Sequence, residues 1–264
     1  MSIAITKSIG TMPEAKTVAF MVYPQLTLLD LVGPLQVPKL LENFGHFEVV
    51  TVGESLTPMP TDTGLSVAAE RTFDQVVEPA VLIVPGGLAG TIHAMVDERV
   101  TTYVRTAAVS AEIVMSVCTG SLILAASGLL NGRSASTHWV FRQELGRLGA
   151  NVVDARWCED GKILAAVGIS AGIDAALVLV ARLAGIDVAR TIQTLIEYEP
   201  QPPLVPSIGR ACTRPTCAAL WWDRSFSASR TSSTVPRIAS LACSRNAQPN
   251  TGWHGSRLGG HSRP

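Results

Sequence analysis

Long apolar runs, a cysteine framework and an excess of either charge are all missing from this chain of 264 residues. No uninterrupted apolar stretch is long enough to span a bilayer, because Ala171–Ala184 is broken by Asp174 and Arg182, so no membrane partner is expected. Five cysteines at irregular spacing make no disulfide pattern in a chain of this length, and Cys212 and Cys217 have no His or Cys pair placed to complete a zinc site. Met1–Lys16 lacks the basic start and continuous apolar core of a secretory signal and reads as a flexible leader, which leaves a reducing cytoplasm as the default compartment. Aromatic residues make up only 5% of the chain and charged ones 16%, yet hydrophobic residues reach 47%, enough for a large core.

The formal net charge of zero hides an asymmetry. Residues 1–204 hold 13 Lys and Arg against 20 Asp and Glu, whereas residues 205–264 hold eight Arg, no Lys and one Asp. The second stretch is rich in Ser and Pro, has no hydrophobic period, and reads as a disordered tail. Its composition also matches out-of-frame translation of GC-rich DNA. A basic tail for nucleic acid is the alternative, but the arginines are scattered rather than clustered, so nucleic acid is not the expected partner.

Residues 17–204 alternate strand and helix signals. Thr17–Val22, Phe47–Val52, Val81–Val84 and Ala111–Val117 are short, apolar and rich in β-branched residues, which predicts buried strands. Gly33-Pro34 predicts a break between the apolar segment Leu26–Leu31 and a helix over Leu35–Asn43. Helical spacing marks Asp97–Ala108, Trp139–Leu148, Ala171–Leu183 and Asp187–Ile196. Val152–Cys158 and Ile163–Ala166 flank Asp160-Gly161, a hairpin signal. Together they predict one α/β domain with a mostly parallel sheet.

Candidate chemistry centres on Ser116-Val117-Cys118-Thr119-Gly120, where a buried strand meets the small, apolar helix Ser121–Ser127. Unpaired N–H groups and the positive end of a helix dipole favour a thiolate there, so Cys118 is the candidate nucleophile; the alternative is an inert buried thiol. Pro85-Gly86-Gly87 directly follows a strand, and its amides could form an oxyanion pocket with that of Thr119. Asp30, inside Leu26–Val32, is either a helix cap or a buried carboxyl that shares a proton with the thiol. His138, in Thr137-His138-Trp139, is either a base for Cys118 or a structural hydrogen-bonder. Ser170, in Gly168-Ile169-Ser170-Ala171-Gly172-Ile173-Asp174, is either an N-terminal cap with Gly172 as a close-packing residue, or part of the pocket. Gly86, Gly87, His138 and Ser170 are thus the candidate substrate contacts.

The ordered run "YPQLTLLDLVGPLQV", "LIVPGG", "SVCTGSLILAASGLLNGRSASTHW", "GISAGID" and "IEYEPQPP" resembles the ThiJ/PfpI superfamily of class I glutamine-amidotransferase-like domains across Thr17–Pro203. That resemblance implies a flavodoxin-like three-layer sandwich. Asp-x-x-Gly-Pro at Asp30, Cys-Thr-Gly at Cys118 and the Glu-Tyr-x-Pro-Gln-Pro-Pro end are similar to the isonitrile hydratases within it. The likeness implies Cys118 as nucleophile, Asp30 and Thr119 as supporting residues, a cytoplasmic homodimer with its site near the interface, and no metal or organic cofactor. The implied reaction is hydration of an isonitrile to an N-substituted formamide through a thioimidate. The alternatives are the ligand-sensing half of an AraC-type regulator, or another thiol activity of glyoxalase or peptidase type. Two departures stand out. Val167 occupies a position where relatives commonly have glycine, and the superfamily's C-terminal helix is absent after Pro203.

Overall fold

Each apolar run is too short for a helix and too buried for a loop, and the helix after it carries the chain back to start the next strand in the same direction. The structure, a computed structural model, describes residues 15–201. The Arg-rich tail, and the leader apart from its last two residues, lie outside the described residues. The first half comprises β1 (Lys16–Met21), α1 (Leu28–Lys39), β2 (Phe47–Gly53), β3 (Met59–Pro60), β4 (Ser66–Val67), β5 (Arg71–Thr72), β6 (Val81–Val84), α2 (Leu88–Val96) and α3 (Glu98–Ser110). The second comprises β7 (Ile113–Val117), α4 (Gly120–Ala126), β8 (Ser134–Ala135), α5 (Arg142–Arg147), β9 (Asn151–Val152), β10 (Trp157–Asp160), β11 (Ile163–Ala166), α6 (Ala171–Ala184) and α7 (Ile186–Leu195).

Seven strands form one sheet in the order β10-β11-β7-β6-β1-β2-β5. All pairs are parallel except β10 with β11. The expected sandwich is therefore present: α6 packs against α1 and α7 on one side, while α2, α3, α4 and α5 form a second group. Strands β1, β6, β7 and β11 are buried almost throughout, with Phe20, Met21, Leu82, Ile83, Met115 and Leu164 fully inside. The chain leaves β1 for β2 on one side and returns to β6 on the other. That reversal opens a crevice at the carboxyl ends of β1 and β6, where open α/β sheets place ligands.

Two expectations need correction, and one helix was not foreseen. First, α1 runs unbroken through Gly33, Pro34 and Pro38. Pro34 cannot donate to the carbonyl of Asp30, but it is buried, and its ring faces Gly172 so closely that a Cβ on Gly172 would lie 2.8 Å from Pro34 Cγ. Packing of α1 on α6 outweighs the lost hydrogen bond. Second, Leu88–Val96 is helical, a signal masked by Gly87 and Gly90. Third, Val152–Cys158 is not one strand: β9 pairs with β8, and only Trp157–Asp160 pairs with β11. Asp160 faces Ile163, so the two-residue turn is Gly161-Lys162, with Gly161 at φ +61°.

One close approach holds α4 to the sheet. A Cβ on Gly120 would collide with the carbonyl oxygen of Val84 and lie 2.9 Å from that of Pro85. Gly120→Ala is therefore expected to destabilise the fold by at least about 2 kcal/mol, because backbone cannot rotate away. Gly168→Ala, where no atom lies within 4 Å, should stay within about 0.5 kcal/mol of the parent. Denaturant midpoints of the two variants test the contrast.

Candidate active site

Strand β7 ends one residue before the cysteine, and its ladder is extended by the Cys118 N–H, which donates to Ala166 O at 3.0 Å. The chain then turns with Cys118 at φ +57°, a left-handed conformation that strains a residue with a side chain. Two hydroxyls hold the turn: Ser121 Oγ donates to the Cys118 carbonyl at 3.3 Å, and Thr137 Oγ1 donates to it at 3.1 Å. Cys118 is thus an elbow between β7 and α4, as the local sequence predicts, and its thiol is free but buried.

Asp30 lies in the first turn of α1 and is wholly buried. It does not cap the helix. The Leu28 N–H donates instead to Asp62 Oδ1 at 2.9 Å, across the turn that carries β3 and β4. Neither carboxylate oxygen of Asp30 has a partner in hydrogen-bond geometry. The space beside it is defined by Gly86, where a Cβ would fall 2.7 Å from Asp30 Oδ2, from Thr119 N and from Thr119 Oγ1. Only glycine lets the β6 loop pass between these groups.

Burial raises the Asp30 carboxyl to about 7, and the nearby Cys118 thiol and Gly86 amide offset only part of that rise. Burial also pushes the Cys118 thiol well up, with the Asp30 charge acting the same way and the Thr119 amide and hydroxyl opposing. Burial therefore opposes the thiolate that the helix start favours. Desolvation acts against the field of α4, a helix of seven residues. The pair holds its protons jointly and more tightly than isolated groups would.

The expected oxyanion pocket is also rearranged. The Gly87 N–H donates to Thr119 Oγ1 at 2.9 Å, so it is not open to a ligand. Thr119 Oγ1 lies 2.8 Å from Thr91 Oγ1, Thr91 Oγ1 lies 3.2 Å from Tyr23 OH, and Tyr23 OH donates to Pro85 O at 2.9 Å. Sequence reasoning missed Tyr23 and Thr91. Their signals, a tyrosine closing a buried strand and a lone threonine in an apolar helix, are faint.

His138 follows Thr137, whose hydroxyl holds the carbonyl of the elbow. The His138 Nδ1 accepts from Val140 N at 3.4 Å at the start of the 3-10 turn Trp139–Phe141, and burial together with the Arg142 charge lowers its pKa to about 4. Imidazole is therefore neutral at physiological pH. Ser170 is exposed and caps nothing with its side chain; its hydroxyl accepts from Arg156 Nη2 at 3.4 Å. Arg156 also pairs with Asp174, which accepts the Tyr198 O–H at 2.8 Å, so this arginine ties the Ser170 stretch to the Glu-Tyr-x-Pro stretch. Gly172 does pack closely, against Pro34 and Val117.

A cavity of about 470 Å³ has Tyr23, Phe73, Gly90 and His93 in its walls but neither Cys118, Asp30 nor Thr119, so it is not the space over the sulfur. Among the described residues no three His, Cys, Asp or Glu side chains cluster as metal ligands, and no helix is long and apolar enough to cross a membrane.

The DJ-1/PfpI family profile matches residues 16–182. An isonitrile hydratase from Pseudomonas putida is 41% identical over 189 residues, covering 72% of this chain and 81% of that protein. A deglycase from Thermococcus kodakarensis is 28% identical over 135 residues, covering 50% of this chain and 78% of its own. The crystal structure of a ThiJ/PfpI family protein from Pseudomonas syringae superposes with a TM-score of 0.73 at 29% identity, covering 92% of this chain and 96% of that one. Drosophila melanogaster DJ-1beta, at 17% identity, shares the fold with a TM-score of 0.64 over 70% of this chain and all of its own. Matched through every strand of its central sheet and to a relative at 41% identity over most of the length, the chain belongs to the DJ-1/PfpI family.

Proposed function

We propose that the chain hydrates an isonitrile to an N-substituted formamide, with Cys118 as nucleophile and Asp30 as its acid and base. The observation that carries this reading is a wholly buried carboxyl, raised to about 7, that acts directly on the buried thiol of a strand-to-helix elbow. Its support from relatives is the isonitrile hydratase at 41% identity.

With one proton left on the pair, the reactive form is Cys118 thiolate beside Asp30 carboxylic acid. The sulfur attacks the terminal carbon of the isonitrile, and Asp30 delivers its proton to that carbon, giving a thioimidate and a carboxylate. Water then adds its oxygen to the carbon and a hydrogen to the nitrogen. Collapse of this adduct expels the thiolate, and the hydroxyl proton passes to Asp30, which restores the starting pair and releases the formamide. The Thr119 amide, which already favours an ionised sulfur, steadies charge on the attacking atom. Gly86, Gly87, His138 and Ser170 are proposed as walls of the substrate space.

A cytoplasmic homodimer belongs to the same proposal. Leu29 and Val32 flank Asp30 on α1 and are 50% and 42% exposed, and Leu65 beside Asp62 is 63% exposed. A second copy over this edge would cover them and close the site.

Cys118→Ala should reduce formamide formation from an alkyl or aryl isonitrile to background. Asp30→Asn should lower turnover by about 10²- to 10⁴-fold with the circular-dichroism spectrum unchanged. Undiminished formamide from Cys118→Ala, followed by chromatography, sinks the mechanism. Methylglyoxal and a peptide in the same panel test the other thiol chemistries.

Stability gives an independent check on Asp30. Its folded pKa of about 7 lies above its ordinary value of 3.8, so the fold keeps this residue most easily when it is protonated. Its contribution is intact below about pH 4 and is lost as pH rises through 7. Asp30→Asn should therefore melt progressively higher than the parent as pH goes from 4 to 8, up to a ceiling of about 4 kcal/mol. A melting difference that stays flat over this range contradicts the buried, proton-holding carboxyl.

A further inference from the structure

Tyr23, Thr91 and Thr119 form a buried string of hydroxyls between two fixed ends. The Gly87 N–H at one end can only donate, and the Pro85 carbonyl at the other can only accept. With a protonated thiol the string therefore has one polarity: Gly87 to Thr119, Thr119 to Thr91, Thr91 to Tyr23, and Tyr23 to Pro85. Every hydroxyl donates once, and four hydrogen bonds result. Thr119 Oγ1 also borders the small space beside Gly86 that holds the Asp30 carboxylate, one residue from the sulfur.

We propose that transfer of the Cys118 proton to Asp30 reverses two of these hydroxyls, so that Thr119 turns its O–H onto the sulfur and Thr91 turns its O–H onto Thr119. In the transfer an S–H bond breaks and an O–H bond forms on the carboxylate. Gly87 and Tyr23 keep their donors where they were. Thr119 Oγ1 then accepts from both Gly87 and Thr91, which matches its two lone pairs. Four hydrogen bonds again result, so the thiolate acquires a donor and no hydroxyl proton is left without an acceptor. Thr91 is a positioning residue in this scheme, acting on the sulfur only through Thr119. The titratable groups facing the thiol are Asp30 from α1 and Tyr23 from the segment after β1; the Thr119 hydroxyl opposes the Asp30 charge. The inference rests on Cys118 being the nucleophile, but not on which electrophile it attacks.

Counting bonds separates this relay from a structural role. Thr91→Val removes two bonds from the thiol state and one from the thiolate state. Tyr23→Phe does the same. Both variants should lower the Cys118 pKa by about half to one pH unit, one net hydrogen bond expressed as a titration shift. Thr119→Val removes the donor to the sulfur and should raise it, while Thr91→Ser keeps the hydroxyl and should match the parent. The measurement is the pH dependence of iodoacetamide labelling in the full chain, read by mass spectrometry on the Cys118 peptide. A Cys118 pKa that stays put or rises in both Thr91→Val and Tyr23→Phe overturns the relay and leaves the proposed reaction standing. So does a Thr91→Ser variant that behaves like Thr91→Val. Absence of Cys118 labelling at every pH overturns both the relay and the nucleophile.

Discussion

A carboxyl group buried next to a buried thiol is the constraint around which this fold is arranged. Ionised and alone, Asp30 would be too costly to keep inside, so the group retains a proton into the neutral range. Holding it there requires a helix that does not stop at Gly33-Pro34, a second carboxylate at Asp62 to take over capping, and a glycine at 86 to leave room beside the sulfur. Each of these features lowers local regularity, and the sheet and the α1–α6 contact compensate.

Around that pair, polar groups are satisfied in a way that keeps them out of the way of chemistry. The Gly87 amide is engaged by Thr119, and the His138 imidazole is kept neutral by burial and the Arg142 charge. The elbow is held through the Cys118 carbonyl rather than through the sulfur, by Ser121 and Thr137. Sulfur and carboxyl are left to act on each other, which is the condition the proposed reaction sets for one proton to serve both its attack and its return step.

Much of this was legible in the chain. Val81–Val84 and Ala111–Val117 announced themselves as short apolar runs, the second forming as Ile113–Val117, and the residues after them, Pro85-Gly86-Gly87 and Cys118, follow directly from where a parallel strand must end. The hairpin before β11 was visible in Asp160-Gly161 to within one residue. Helix α2 was not, because Gly87 and Gly90 look like loop residues until they are seen to let the backbone pass Pro24 and Gln25. The break expected at Gly33-Pro34 failed for a related reason: local propensity is worth less than a long buried contact with α6.

The sequence by itself determined the strand-to-helix elbow, the parallel sheet and the identity of the groups that meet at its carboxyl edge, because these follow from local period, turn residues and chain direction. Only the tertiary structure decided where the protons sit. Whether Cys118 begins as thiol or thiolate depends on desolvation and on the approach of Asp30 and Tyr23, which lie far from Cys118 in the chain. Helix-start arguments see the field of α4 but not the loss of water, which in this site pushes the thiol the other way.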